Sequence, residues 1–432
     1  MDSQKSVIFE IEELGAIRNS RIELKPFMIF SGESGLGKSY AAFLAHYYYV
    51  LSTNNRLNHF FESYGYNFDK LLSKKTSDDI ILSFETDDLI RWINHDALTY
   101  LRFILGNEEF SGKINVQLPF LPKTIEYKCK EDIISVENET EIYLNVSIND
   151  KDSIRLPHFD NWELIPLTVL LERIIRPDQR VNTTFLLPPS RGALVGLTSS
   201  SQNTIASTAG MYQEFLSDMD TLEVPSEKPK QEFTSPYILD LLKEINKGEI
   251  KKKGGKLRYL TQGVDIPVTA SASSIKEITP LSLLLNKHAV KNYSILFEEP
   301  EAHLHPRMQI KTADLIAAIV NDSAHFQITT HSDYLIRRIN DLITLGKIQS
   351  HDKIVFEQIC EKYGYNKYCA LDAQKVGAYF LQRNADNTVT IIEQNMENGV
   401  PYDSFHDVVS DEWKNSMLLQ TEYENLIENK NA

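Results

Sequence analysis

The sequence predicts an α/β fold with a mainly parallel sheet, an N-terminal antiparallel β portion and a mixed α/β insertion. Three observations carry this expectation. Apolar runs of strand length, such as Phe27-Met28-Ile29-Phe30 and Ser294-Ile295-Leu296-Phe297, alternate with helix-length amphipathic segments, as in a sheet covered on both faces. The first of these runs passes through a glycine-rich turn directly into a helix pattern, SYAAFLAHYYYVL. Residues 6–30 otherwise read as short strands, VIFEIEEL and RIELKPFMIF.

The remaining elements follow in order. DDIILSF and ETEIYLNVSI read as strands, whereas DDLIRWINHDALTYLRFIL and LIPLTVLLERII read as helices. Residues 195–233 are rich in Ser, Thr, Gln and Pro and read as containing a mobile loop. From Lys256 the pattern tightens into strand LRYL, a Ser-rich turn, helix TPLSLLLNKHAV and strand YSILF. A helix over about 306–320 places Met308, Leu315, Ile316 and Ile319 on one face, and strand HFQITT follows. The C-terminal part adds strand patterns AYFLQR and TVTIIEQ and an acidic helical tail. There is no internal repeat.

Composition narrows the function classes. An apolar fraction of 42% with 24% charged residues excludes wholesale disorder. No uninterrupted apolar stretch reaches the length of a bilayer span, and MDSQKSVIFEIEEL lacks the zones of a secretory signal. Cys129, Cys360 and Cys369 provide neither a disulfide framework nor zinc-type pairing. The expected setting is a reducing cytoplasm, with no membrane contact. A formal net charge of -15 argues against a surface that coats nucleic acid broadly. One local basic segment stands out, KGEIKKKGGKLRY, in which Lys247, Lys251, Lys252, Lys253, Lys256 and Arg258 flank Gly254-Gly255. It reads either as a solvated hairpin or as a contact for nucleic acid or a partner.

The chemistry concentrates in four places. Gly32-Glu33-Ser34-Gly35-Leu36-Gly37-Lys38-Ser39 matches G-x-x-x-x-G-K-[ST] in full, followed by Tyr40 on the helix. Glycines at 32, 35 and 37 let successive N–H groups face a phosphate, and the helix adds its positive end. Lys38 can reach the outer phosphates, and the Ser39 hydroxyl is a magnesium ligand. The strand YSILF delivers Glu298 and Glu299 to the C-terminal edge of the sheet, where such folds bind ligands. Beside a phosphate loop, Glu298 reads as a magnesium holder and Glu299 as the group that polarises an attacking water. A helix start would also use Pro300 and neighbouring acids. His303 and His305 fall on one face of an extended segment, without a third metal ligand at fitting spacing. His331 ends the strand HFQITT, and the interval from Glu299 holds one helix and one strand, which sets the two strand ends side by side.

The phosphate loop, ILFEEPEAHLHP and ITTHSDYLI together resemble ABC-like ATPases of the AAA, OLD-like group, relatives of SMC and DNA-repair ATPases found in bacterial anti-phage systems. LLPPSRGAL, from Leu186 to Leu194, and the tail VGAYF…NGVPYDSF resemble the same group, so the likeness covers both ends and the middle in patches. The resemblance implies an ABC-type ATPase head using ATP and Mg2+. In it Glu298 binds the metal, Glu299 is the catalytic base and His331 is the switch residue. It further implies a signature serine presented by a partner subunit. Ser273 aligns with it, although Ser274 stands where a glycine is usual and the segment also reads as a Ser-rich helix start. A homo-oligomer, at least a dimer, follows from that role. The glutamine loop of such heads has no firm match and is expected in the middle region.

The expected organisation is therefore residues 1–51 as the N-terminal part of the head with the phosphate loop, and 52–255 as an inserted mixed lobe. Residues 256–345 would complete the head, with 346–432 as a C-terminal extension. OLD nucleases carry a TOPRIM domain after the head, and no such constellation of acids follows His331 here. The first functional reading is a slow ATPase that gates a separate effector as sensor or scaffold. The alternatives are a DNA-processing repair or nuclease-type ATPase, favoured only by the lysine hairpin, and a transporter's nucleotide-binding subunit, which would carry a standard signature sequence.

Overall fold

The computed structural model describes residues 6–53, 56–63, 80–136, 139–149, 152–157, 171, 175, 181–195, 208–223, 234–253, 256–396, 399–400 and 403–431. The helix expected at LIPLTVLLERII, apart from Leu171 and Ile175, lies outside the described residues. So do the Gly254-Gly255 turn, Pro401-Tyr402 and much of 195–233.

The chain opens with β1 (Ile8–Leu14), β2 (Ile17–Glu23), β3 (Phe27–Gly32), α1 (Lys38–Thr53) and α2 (Leu57–Ser63). Next come β4 (Ile80–Glu85), α3 (Thr86–Leu105), β5 (Gly112–Gln117), β6 (Thr124–Val136), β7 (Glu139–Ile148) and β8 (Asp152–Pro157). β9 (Thr183–Leu187), α4 (Arg191–Leu194), α5 (Gly210–Glu223) and α6 (Pro236–Asn246) lead to β10 (Glu249–Lys253), β11 (Lys256–Thr261) and β12 (Val264–Pro267). α7 (Ser273–Lys287), β13 (Tyr293–Glu298), α8 (Pro306–Asn321), β14 (His325–Thr330) and α9 (Asp333–His351) follow. The chain ends with α10 (Lys353–Tyr363), β15 (Val376–Arg383), β16 (Val389–Glu393) and α11 (Asp403–Asn431).

A nine-stranded sheet runs in the order β5-β1-β2-β16-β15-β3-β14-β13-β9. Its five strands from β15 to β9 are mutually parallel, whereas β5, β1 and β2 form an antiparallel portion. The fold is thus α/β with a mainly parallel centre. The segments expected from sequence interleave within it. β15 and β16, from 346–432, lie between β2 and β3, while β5 and β9, from 52–255, form the two edges. Two smaller antiparallel sheets stand apart, β4-β6-β7-β8 and β10-β11-β12.

Alternation along the central strands divides the interior into two cores. On β3, Met28 and Phe30 join one cluster with α1, α3 and β1, whereas Phe27 and Ile29 join the other with α6 to α9. α1 is buried from Ala41 to Leu51, which a one-sided helix would not be. Its polar side chains are accordingly tied down: the Tyr47 hydroxyl donates to Asp96 at 2.9 Å and the Tyr48 hydroxyl to the Ile175 carbonyl at 2.8 Å.

One boundary differs from expectation. The helix expected to open at Thr279 begins at Ser273 and ends at Lys287, passing through Pro280. The proline removes the hydrogen bond that the Lys276 carbonyl would accept, while the carbonyls on either side of Lys276 take other donors. The Thr279 hydroxyl bonds the Ile275 carbonyl at 2.6 Å, and Arg191 Nε bonds the Glu277 carbonyl at 3.0 Å.

β9 is an edge strand whose outer N–H groups need acceptors. α5 supplies one, since Asp218 Oδ2 accepts from the Leu186 N–H at 3.2 Å. One turn before it, Glu214 accepts from the Tyr100 hydroxyl at 3.2 Å. Desolvation by burial, opposed by the Leu186 bond and reinforced by Glu214, pushes Asp218 up to about 8. Folding therefore favours the protonated carboxyl. Its contribution to stability is complete below 3.8, the ordinary value, and is lost as pH rises through about 8. Asp218→Asn keeps an acceptor for Leu186 and removes the titration. The melting temperature of this variant should gain on wild type as pH is raised toward 8, and parallel curves for the two proteins would refute the assignment.

Candidate functional site

The parallel register brings three strand ends to one edge. Glu298 on β13 pairs with Thr329 on β14, and Thr330 pairs with Ser31 on β3. The glycine-rich loop leaves β3 at the same edge and enters α1 at Lys38.

The loop holds three positive φ values, 132° at Gly32, 76° at Gly35 and 91° at Gly37. Gly32 is the most constrained, because a Cβ there would stand 2.5 Å from the Leu381 carbonyl oxygen of β15. Leu36 is buried in the core, and Tyr40 packs edge-on against Phe110 with ring centroids 5.0 Å apart. What these two can offer a phosphate is backbone N–H. Glu33, Ser34 and Gly35 are exposed. Lys38 folds back, its Nζ donating to the carbonyls of Gly32 at 3.1 Å and Glu33 at 2.8 Å. Burial pushes Lys38 down to about 8, against the opposing charges of Glu299, Glu301 and Glu298. Its ammonium form prevails at neutral pH.

Two carboxylates follow β13. Glu298 is 3% exposed and accepts a short hydrogen bond from the Ser39 hydroxyl, with Thr329 Oγ1 at 3.5 Å. Desolvation pushes it up to about 7, with the Ser39 bond opposing and Glu299 adding. Ser39 and Glu298 thus place two hard oxygen donors within reach of a single small cation, a set suited to magnesium completed by phosphate and water oxygens. Glu299 is half-buried with φ 45°, a left-handed backbone costing about 1–2 kcal/mol for a residue with a side chain. Its N–H donates to the Thr329 carbonyl at 3.0 Å.

Three side chains outside the expected set complete the cluster. Glu301 Oε1 accepts from the His331 N–H at 2.6 Å and the Thr330 hydroxyl at 2.8 Å, fixing the end of β14. Arg191 is 1% exposed and donates to the carbonyls of Glu298 at 2.7 Å and Glu299 at 3.2 Å. Glu277 on α7 lies 3.5 Å from Arg191 Nε. Sequence reasoning reached LLPPSRGAL and PEAHLHP only as stretches of resemblance. A lone arginine inside an apolar, proline-bounded run was the available signal for Arg191, since such a residue is buried only with partners.

His331 Nε2 stands 3.5 Å from Ser34 Oγ, across the mouth of the loop. Desolvation and the Lys38 charge hold its pKa below the ordinary value, with Glu299 opposing, so the imidazole is neutral at pH 7. His305 caps α8, accepting from the Arg307 N–H at 3.3 Å, and His303 is exposed. No group of three His, Cys, Asp or Glu able to hold a metal occurs among the described residues. Ser273 is exposed in the first turn of α7 and makes no hydrogen bond with the loop, the acids or His331 among the described residues. The cap position before it is Ala272, without a side-chain acceptor, and the Ser271 hydroxyl is turned to the Val268 carbonyl at 2.6 Å.

Residues 171–336, spanning Arg191, Ser273, both acids and His331, match the family model of the AAA ATPase domain. That part of the chain is similar to AAA ATPase domains. No curated protein matches the chain in sequence. Solved structures that align with it include the SMC head bound to the C-winged-helix domain of ScpA, at 11% identity over 91% of this chain and 98% of that one, TM-score 0.36. The SMC head domain from Thermotoga maritima aligns at 9% identity over 90% and 98%, TM-score 0.33. An SMC head domain with an extended coiled coil, bound to the C-terminal domain of ScpA and derived from Pyrococcus furiosus, aligns at 10% identity over 94% and 98%, TM-score 0.37. No helix among the described residues is long and apolar enough to cross a membrane.

Proposed function

We propose that the ATPase binds ATP between two copies of itself and hydrolyses it slowly, serving as a nucleotide-gated sensor or scaffold for a separate effector in bacterial anti-phage defence. The division of parts carries this reading. Lys38, Ser39, Glu298, Glu299 and His331 gather at one sheet edge, while Ser273 stands exposed on an uncapped helix start with no bond to them. A second copy can bring its Ser273 and the free N–H groups of that helix start to the nucleotide.

Within one copy, the loop N–H groups hold the phosphates, and Lys38 exchanges its two carbonyl partners for phosphate oxygens. Ser39 and Glu298 hold Mg2+, which when bound neutralises charge on the phosphate oxygens. Glu299 takes the proton of the attacking water, and its charge is felt by both Lys38 and His331. The neutral His331 can bond the terminal phosphate without adding charge. The effector role and a cytoplasmic setting rest on the resemblance of the sequence motifs to OLD-like ATPases. In the basic hairpin Lys251 pairs with Glu249, and both Lys253 and Arg258 reach Asp265, so part of its charge is engaged within the hairpin.

Glu299→Gln should retain ATP binding and lose on the order of a hundredfold in hydrolysis, as for removal of a general base. Equal turnover in variant and wild type would remove Glu299 from that role. Mixing Lys38→Ala with Ser273→Ala subunits should regenerate one intact site per mixed dimer. With subunit exchange verified, activity no higher than either variant alone would dismiss the shared site. Purified ATPase incubated with ATP, magnesium and linear DNA should leave the DNA intact. Robust cleavage that vanishes in Glu299→Gln would replace the scaffold with a DNA-processing enzyme.

A further inference from the structure

We propose that Arg191 is a positioning residue that couples α7, the helix opening at Ser273, to the peptide backbone of Glu298 and Glu299. The inference rests on the shared-site reading above and adds the route by which a contact at Ser273 reaches the acids.

Arg191 spends its guanidinium on main-chain carbonyls from three segments. Nε donates to Glu277 at 3.0 Å, Nη1 to Pro188 at 3.0 Å and to Glu298 at 2.7 Å, and Nη2 to Glu299 at 3.2 Å. The guanidinium also lies over the Phe297 ring, 4.4 Å from its centroid. A planar fork with fixed angles transmits the position of one acceptor to the others, which a single flexible ammonium would not. The loop that carries it is stiff, with Pro188 and Pro189 before it and Ser190 in a left-handed conformation at φ 58°.

The α7 side of the linkage is equally specific. Glu277 sits one helical turn after Ser273, so displacement of the helix start is carried directly to it. Its carboxylate approaches Arg191 because residue 192 is glycine: a Cβ there would stand 2.7 Å from Glu277 Oε1. On the other side, the Glu298 and Glu299 carbonyls belong to the residues whose carboxylates the nucleotide requires in place. A shift near 1 Å in such groups costs about a hundredfold in rate. A buried arginine with unmet charge would weaken the fold, so its retention between these segments fits a role beyond packing.

The test compares Arg191→Lys, Glu277→Gln, Ser273→Ala, Glu299→Gln and the Glu277→Gln/Ser273→Ala double variant. ATP affinity, kcat, KM and melting temperature are read for each. Arg191→Lys should bind ATP within about twofold of wild type and lose about tenfold in kcat, the scale of supporting-shell changes. Glu277→Gln should move kcat in the same direction, and it retains the carbonyl that Arg191 bonds, so it decides the matter if Arg191→Lys does not fold. The double variant should be no slower than Ser273→Ala alone, since both changes interrupt one route. Wild-type kcat in a folded Arg191→Lys or in Glu277→Gln would overturn the proposal, as would fully additive losses in the double variant. Wild-type turnover in Ser273→Ala and Glu299→Gln would instead remove the shared-site reading and this proposal with it.

Discussion

Keeping several charges out of water at one sheet edge is the constraint around which this protein is arranged. Lys38, Arg191, Glu298, Glu299 and Glu301 interact across the ends of β3, β13 and β14, and acids outnumber bases among them. Desolvation alone would neutralise such groups. Four of them are instead supplied with fixed dipoles, Lys38 by the carbonyls of Gly32 and Glu33. Ser39 and Thr329 serve Glu298, Thr330 and the His331 N–H serve Glu301, and four carbonyls serve Arg191. The balance is incomplete, which leaves Glu298 at about 7 and Lys38 at about 8. Groups held that close to neutrality respond strongly to any charge brought beside them.

The sheet supplies the geometry this electrostatic arrangement needs. Parallel pairing makes strand ends coincide, so carboxylates from β13, a histidine from β14 and the loop from β3 meet without any long side-chain reach. The loop is held from the other side by β15, whose Leu381 carbonyl occupies the space a side chain at Gly32 would need. The strained backbone of Glu299 is likewise held by neighbours, its N–H by Thr329 and its carbonyl by Arg191.

Much of this was legible in the sequence because it is local. Strand periods, the spacing of Gly32, Gly37 and Lys38, and the apolar run ending in Glu298-Glu299 depend on neighbours a few positions away. The start of α7 was ambiguous, because the Ser-rich segment read both as a turn and as a helix start and Pro280 interrupts the helix's own hydrogen bonds; the Arg191 bond to the Glu277 carbonyl of that turn comes from a distant segment. The place of β15 and β16 was hidden for a related reason. Their short alternating patterns say that they belong to a sheet but not which strands they join.

What the sequence by itself determined is a set of residue types: a complete G-x-x-x-x-G-K-[ST] motif, a strand-borne pair of acids and a histidine at the next strand end. These are chemical identities, carried by residue types at short fixed spacings. Only the tertiary structure decided that Glu301 orients His331, that Arg191 binds the backbone of both acids, and that Ser273 opens a helix tied to Arg191 through Glu277. Those contacts join positions tens to more than a hundred residues apart. Their energies come from burial and hydrogen-bond direction, which exist only once the strands are in register.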